Sequence, residues 1–310
     1  MPDTLKNSPF LLLPLLAMLL SGCTIPGTDM EIPGLPDLFG PQVVQYEHDV
    51  LVIKSLQAIP AEVAPGQSTT IIATLQNKGS EKMPLSGIGI ELYDYCPGLF
   101  KLTEANLPKG DIYPDQMVQA TWKLKASEDV AVESTCPSDG MKVAVRYPYQ
   151  TESIATIAFI DEAEMNRLIQ EGNFGKKQSS VTVGGGPVKA YIEVRDVQPI
   201  PSNSGTTNIV FQVKNMGQGF VQRSMGEGIE PLVGWYSVGS SDKGMQKGLE
   251  ECKNENGAKF VLIGGRSAEI PCTVDVPKKP VTEYTETITT SIVYNYEFRK
   301  SVMVKVKPKR

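Results

Sequence analysis

Histidine is almost missing from this 310-residue sequence: His48 is the single one. That excludes any site built on two or more imidazoles, and any Ser-His-Asp or Cys-His arrangement would have to run through one position. A basic excess is missing too, since the formal charge is -5. A chain whose main task is neutralising phosphate carries the opposite imbalance, so a nucleic-acid partner is not expected. The apolar run at the start, Phe10 to Leu20, has only 11 residues, against about 20 for a bilayer-spanning helix. No Asn-x-Ser or Asn-x-Thr acceptor occurs, and no two cysteines lie close enough for a CxxC-type metal or redox site. What is present, 41% hydrophobic with 21% charged, is the composition of a folded protein, and the length suits about two domains.

The first 23 residues carry an address. A short polar start with Lys6 leads into the apolar run and then Leu20-Ser21-Gly22-Cys23. The run alone reads as the h-region of a secretory signal, an ordinary cleaved one included. The four-residue ending resembles the lipobox of bacterial and some archaeal lipoproteins. That resemblance implies removal of residues 1–22 and lipidation of Cys23 at sulfur, so that the chain is held on the extracytoplasmic face. No twin arginine precedes the run, which fits export in an unfolded state. Residues 24–46 hold Pro26, Gly27, Pro33, Gly34, Pro36, Gly40 and Pro41 among few charges. Proline removes donors and glycine adds backbone entropy, so a tether is expected there.

Beyond Cys23 remain Cys96, Cys136, Cys252 and Cys272. An even number in an exported chain points to disulfides, with three pairings open in principle. Pairing within each half, Cys96 with Cys136 and Cys252 with Cys272, is the choice that crosses no linker. Each closure would restrict the unfolded chain by about 3 to 4 kcal/mol on the loop-entropy model.

An internal repeat emerges at about 139 residues. Pro60 answers Pro199 and Gly66 answers Gly205 at a spacing of 139, and Asn77 answers Asn215 at 138. Ile71, Ala73 and Leu75 alternate with polar neighbours, as do Ile209, Phe211 and Val213. Val145-Arg146-Tyr147-Pro148-Tyr149 is matched by Ile292-Val293-Tyr294-Asn295-Tyr296, and each is followed by a final β-rich run, Ile154 to Ile160 and Val302 to Val306. Further runs at 87–93, 117–124, 141–147, 232–238, 259–263 and 284–296 bring each copy to about six or seven strands. The fold class expected is all-β, two tandem immunoglobulin-like β-sandwiches over residues 47–160 and 187–310. The Pro-Gly turn, alternating strand and Asn-x-Gly turn resemble the CARDB family and related immunoglobulin-like modules of prokaryotic surface proteins, over about 30 residues of each copy. The resemblance implies an extracellular module and brings no catalytic residues.

Between the copies, residues 161–186 read as a helix and a Gly/Ser linker. Asp161 and Glu164 form a capping-box spacing, Met165, Leu168 and Ile169 an apolar stripe, and Gly172 a stop. Three turns are marginal alone, so docking on a sandwich is expected. Gly184, Gly185 and Gly186 lack the Lys-Ser or Lys-Thr of a phosphate loop. His48 with Glu47 and Asp49 reads as a solvated strand end. The carboxylate pairs Glu91 with Asp94 and Glu250 with Glu251 are not placed across a cleft, and Asp111 with Asp115 read as turn caps. No metal, cofactor or enzymatic site is expected.

Charge separates the copies. Residues 47–160 hold 9 Lys plus Arg against 14 Asp plus Glu, hence -5, and residues 187–310 hold 17 against 13, hence +4. Lys305, Lys307, Lys309 and Arg310 match the whole excess of the second copy, as a basic tail able to meet anionic lipid, a wall polymer or the acidic copy of a neighbour. Leu99 and Phe100, just after Cys96, are the other candidate contacts. The expected function is therefore a lipid-anchored cell-envelope protein, non-enzymatic, binding a protein or glycan partner. The alternative is a structural spacer or accessory subunit of a surface secretion or filament assembly, with self-association.

Overall fold

The computed structural model describes residues 48–175, 180–222, 233–240, 242–252, 259–263, 265–279 and 281–308. Cys23 and the sequence preceding His48 lie outside them.

Alternation of β-branched or aromatic residues with polar ones favours extended backbone with one buried face. The first repeat accordingly contributes β1 (Leu51–Ile59), β2 (Glu62–Val63), β3 (Ser68–Asn77), β4 (Met83–Pro84), β5 (Gly89–Tyr93), β6 (Phe100–Asn106), β7 (Asp111–Ile112), β8 (Met117–Ala126) and β9 (Ser134–Ile160). After helix α1 (Glu162–Gln170) come β10 (Ser180–Val183), β11 (Val188–Val194), β12 (Ile200–Pro201), β13 (Thr206–Asn215), β14 (Phe220–Gln222) and β15 (Val233–Ser240). Helix α2 (Lys243–Glu251), β16 (Lys259–Val261), β17 (Ser267–Asp275) and β18 (Glu283–Val306) complete the second repeat. The fold is all-β. One sheet has the order β1-β3-β8-β6, its counterpart β11-β13-β17, and a nine-stranded sheet with the spine β10-β9-β18-β15-β16 belongs to both repeats. The described residues form one compact unit with a continuous apolar core.

The ends of the repeats differ from expectation. Met141 to Tyr147 and Ile154 to Ile160 are not two strands joined by a turn but parts of one 27-residue strand, β9. Likewise, Tyr284 to Tyr296 and Val302 to Val306 fuse into the 24-residue β18. The reason lies in turn chemistry: neither Tyr147-Pro148-Tyr149 nor Tyr294-Asn295-Tyr296 offers the Asn-Gly or Gly pair of a tight hairpin. Both segments run straight through and cross each other, with Pro148 opposite Asn295 in an antiparallel ladder from Ile160↔Glu283 to Ser134↔Val306. Pro148 is tolerated because the far edge of β9 is paired by β5 only up to Arg146 and by β10 only from Ser153.

The consequence is a reciprocal exchange. The last part of β9 pairs with the first part of β18 and, in parallel, with β12 through Phe159 and Ile160, both second-repeat partners, and also with β10 of the connector. The last part of β18 pairs with the first part of β9 and, in parallel, with β2 through Lys305 and Val306, all first-repeat partners. Val304 and Val306 are thus buried in the first repeat, and Ala155, Ile157 and Phe159 in the second.

Smaller expectations fare unevenly. Helix α1 is capped as read, Asp161 accepting from the Glu164 N–H at 2.7 Å, and it ends before Gly172 at φ +66. It does not dock, however: none of its residues is buried, and Ile169 is 52% exposed. Arg167 bridges Glu164 and Glu171 instead, holding the helix from its polar side. The expected loose joint is partly a strand, because Ser180 to Val183 pair with Thr156 to Ser153. Helix α2 is not foreseen, although Asp242 caps it by accepting from the Met245 N–H and Met245 and Leu249 bury one face. Strands β6 and β17 are also unforeseen.

Candidate functional site

The expected disulfides form: Cys96–Cys136 and Cys252–Cys272, with Cα separations of 5.7 and 5.3 Å. The loop after Cys96 is tightly wound, with Asp94 and Cys96 at positive φ and the N–H groups of Leu99 and Phe100 both donating to the Cys96 carbonyl at 2.8 Å. This winding turns Phe100 inward. It is 1% exposed and part of the core, which corrects its assignment as a partner contact, while Leu99 is half-buried against the same core. Pro97 and Gly98 are what the loop exposes.

The second disulfide ties the end of α2 to β17, an edge strand of its sheet. Beside it lies a hollow of about 290 Å³ between Glu251, Cys252, Glu269 and Pro271, and an adjoining one of about 410 Å³ over Val210, Pro271 and Thr273. Val210 points away from the inward set Ile209, Phe211 and Val213, yet it is 1% exposed and forms an apolar base. Around it stand Arg195, 3.8 Å from Glu269, and Asn208, whose Oδ1 accepts from the Thr273 hydroxyl at 3.0 Å. Asp196 anchors this rim by accepting from the Thr207 hydroxyl and the Asn208 N–H. An apolar base with a hydrogen-bonding rim can hold a small polar group or a protruding side chain. The sequence signal was faint: Ala268, Ile270, Cys272 and Val274 do alternate, but Pro271 interrupts the pattern.

At the crossing, four tyrosines close a ring. Tyr147–Tyr296, Tyr149–Tyr294, Tyr147–Tyr149 and Tyr294–Tyr296 have centroid separations of 5.8, 6.1, 6.4 and 6.3 Å. The Tyr147 hydroxyl accepts from the Leu51 N–H and the Tyr294 hydroxyl from the Val188 N–H, the equivalent first-strand position of the other repeat. Gly186 passes so close that a Cβ there would overlap the Tyr149 ring. Burial pushes the Tyr147, Tyr294 and Tyr296 hydroxyls well above the ordinary phenol range. Asp49 joins this cluster and is not a solvated strand end: it is 4% exposed and accepts from the Gln218 N–H at 3.2 and 3.1 Å. Burial raises its carboxyl above 3.8, against the pull of Gln218, Tyr296 and His48. On the other face, fully buried Glu297 is bridged by Arg146 and Arg299, Arg146 also pairing with Glu91 at 2.7 Å, and Arg299 covers the rings of Tyr93 and Phe220.

The other singled-out residues are dispersed. Lys305 and Lys307 are not a frayed tail, because their N–H groups donate to Ala61 and Val63 and Lys307 pairs with Glu62. Lys309, Arg310, Cys23 and Glu47 lie outside the described residues. Asp94 pairs with Lys142, and Asp111 with Lys82, both at 3.0 Å. Asp115 sits in a turn, its N–H donating to the Asn77 carbonyl. Among the described residues no group of three or more His, Cys, Asp or Glu is arranged to hold a metal ion, and no helix is long and apolar enough to cross a membrane. Compared with models of protein families and with curated proteins, the chain matches none.

Proposed function

We propose that this is a lipid-anchored cell-envelope protein in which two immunoglobulin-like modules act together as a non-enzymatic binding module for a protein or glycan partner. The observation that carries the reading is the pair of disulfides within an all-β fold. Such bonds belong to an oxidising, extracytoplasmic setting, which is where the Leu20-Ser21-Gly22-Cys23 ending would hold the chain. Contact falls to the hollow beside Cys252–Cys272 and to the exposed Pro97 and Gly98, since loops and edges on a rigid scaffold commonly carry recognition. Mass spectrometry of the mature protein tests the anchor: a diacylated Cys23 is expected, and a free, unmodified Cys23 would sink it. Binding of the monomer on a glycan array or to purified envelope proteins tests the rest, with loss on replacing Arg195 by Glu.

A second reading, a structural spacer or accessory subunit of a surface assembly, is favoured by the continuity of β9 and β18 through both repeats. Concentration-dependent assembly of the purified protein in low salt supports it, and a monomer at all concentrations and salts removes it.

A further inference from the structure

A module that closed on itself would reverse at Pro148 and lay Ile154 to Ile160 back along Met141 to Tyr147. Here the same run completes the second repeat, and the corresponding run of β18 completes the first. The covalent connection between the repeats contributes far less. Helix α1 has no buried residue, and β10 adds four residue pairs at one edge. The antiparallel ladder of β9 with β18 extends over the whole length of both strands and buries Val304 and Val306 on one side of the crossing and Ile157 and Phe159 on the other.

We propose that this crossing is a lock: each repeat is the obligate partner of the other repeat of the same chain, and the crossing holds them together when the connector is cut. Parting the repeats would strip the first of Val304 and Val306 and leave the β9 edge from Ser134 to Lys142 without its ladder, and would strip the second of Phe159 in the same step. Unpaired backbone groups and exposed apolar side chains appear on both sides at once, so separation requires unfolding both repeats. Exchange of an identical element is a low-cost way of joining two protomers. In this chain the two protomers are fused, and the lock is independent of any lipid or ligand.

The test uses the full chain with a specific protease site inserted between Gly172 and Asn173, where an added group meets open space. After complete cleavage, the two pieces are expected to co-elute at the volume of the intact protein through days of dilution and to melt in one transition. Two separate peaks, each retaining β-sheet circular dichroism, would overturn the lock. A second measurement guards against a poorly folding insertion. Ser301 lies opposite Lys142 in the ladder, whereas in a self-closed repeat it would lie opposite Thr289, the counterpart of Lys142 in the second repeat. Oxidised Lys142→Cys with Ser301→Cys is expected to form an intrachain disulfide, located by peptide mapping, while Thr289→Cys with Ser301→Cys is not. The reverse pattern, or a disulfide joining two chains, refutes an exchange within one chain.

Discussion

The two repeats agree at the crossing and part company at their edges. Asn77 donates to the Glu81 and Ile112 carbonyls and accepts from the Gly79 N–H, and Asn215 does the same with Gly219, Gly265 and Gly217. Both Ile59–Pro60 and Gln198–Pro199 are cis, and β2 and β12 each run parallel to the borrowed strand. Away from the crossing, the first repeat ends in β6, exposed along nearly all its length, with its disulfide reaching β9. The second repeat has α2 packed against β17 and a disulfide within that edge. Positions that must accept the partner's strand share one geometry. Edges answer to no such partner, and there the chain has room for a recognition surface peculiar to one repeat.

The comparison breaks most visibly if the borrowed strand is removed. Deleting residues 301–310 takes away two fully buried valines, worth about 3 to 6 kcal/mol together. The damage should appear in the first repeat although the deletion is in the second. In a Trp235→Phe background, the fluorescence of Trp122, 3% exposed, is expected to shift to the red. Removing the disulfides is next. They close sequence separations of 40 and 20 residues, so Cys96→Ser with Cys136→Ser should cost about 4 kcal/mol and Cys252→Ser with Cys272→Ser about 3. Urea titration checks both values, and the smaller loss should be accompanied by lost binding at the hollow. Asn77→Ala and Asn215→Ala should each cost about 1 to 3 kcal/mol and match one another, because each removes a donor to two carbonyls and an acceptor for one N–H. A clear inequality in their melting temperatures would end the equivalence of the two sites.

The smallest effect is a dependence on pH. Asp49 is held above its ordinary 3.8 by burial, so the folded form favours the proton and the resulting stability is complete below 3.8 and lost as the pH rises through the folded value. Asp49→Asn has no such loss. The melting temperature of the variant relative to the parent should rise from pH 3 to pH 7; a flat difference would remove Asp49 as a buried titrating group.

Much of this architecture was legible in the sequence, and the misses have physical causes. Period-two alternation placed β3, β13 and the last part of β18. The cysteine pairing followed from the repeat boundaries. Alternation cannot say which strand lies alongside, so the final runs were found while their exchange was not. The cue was what Tyr147-Pro148-Tyr149 lacks, since no glycine or Asn-Gly pair is there to turn the chain. Phe100 was misread because an aromatic after a cysteine looks the same whether the loop opens outward or, as with Asp94 and Cys96 at positive φ, winds inward. Pro271 hid β17, whose edge position is what lets proline remain. The hollow was beyond reach, because Val210 and Thr273 come from two strands and Arg195 from the turn that follows a third.

The crossing of β9 and β18 also settles a matter of number. Modules strung like beads can be gained or lost singly, because each satisfies its own ends. A mutual loan closes with two participants: a third module would find no strand to borrow, and one left alone would have neither creditor nor debtor. This chain can therefore vary its loops and edges freely, while these two repeats are kept or lost as a pair.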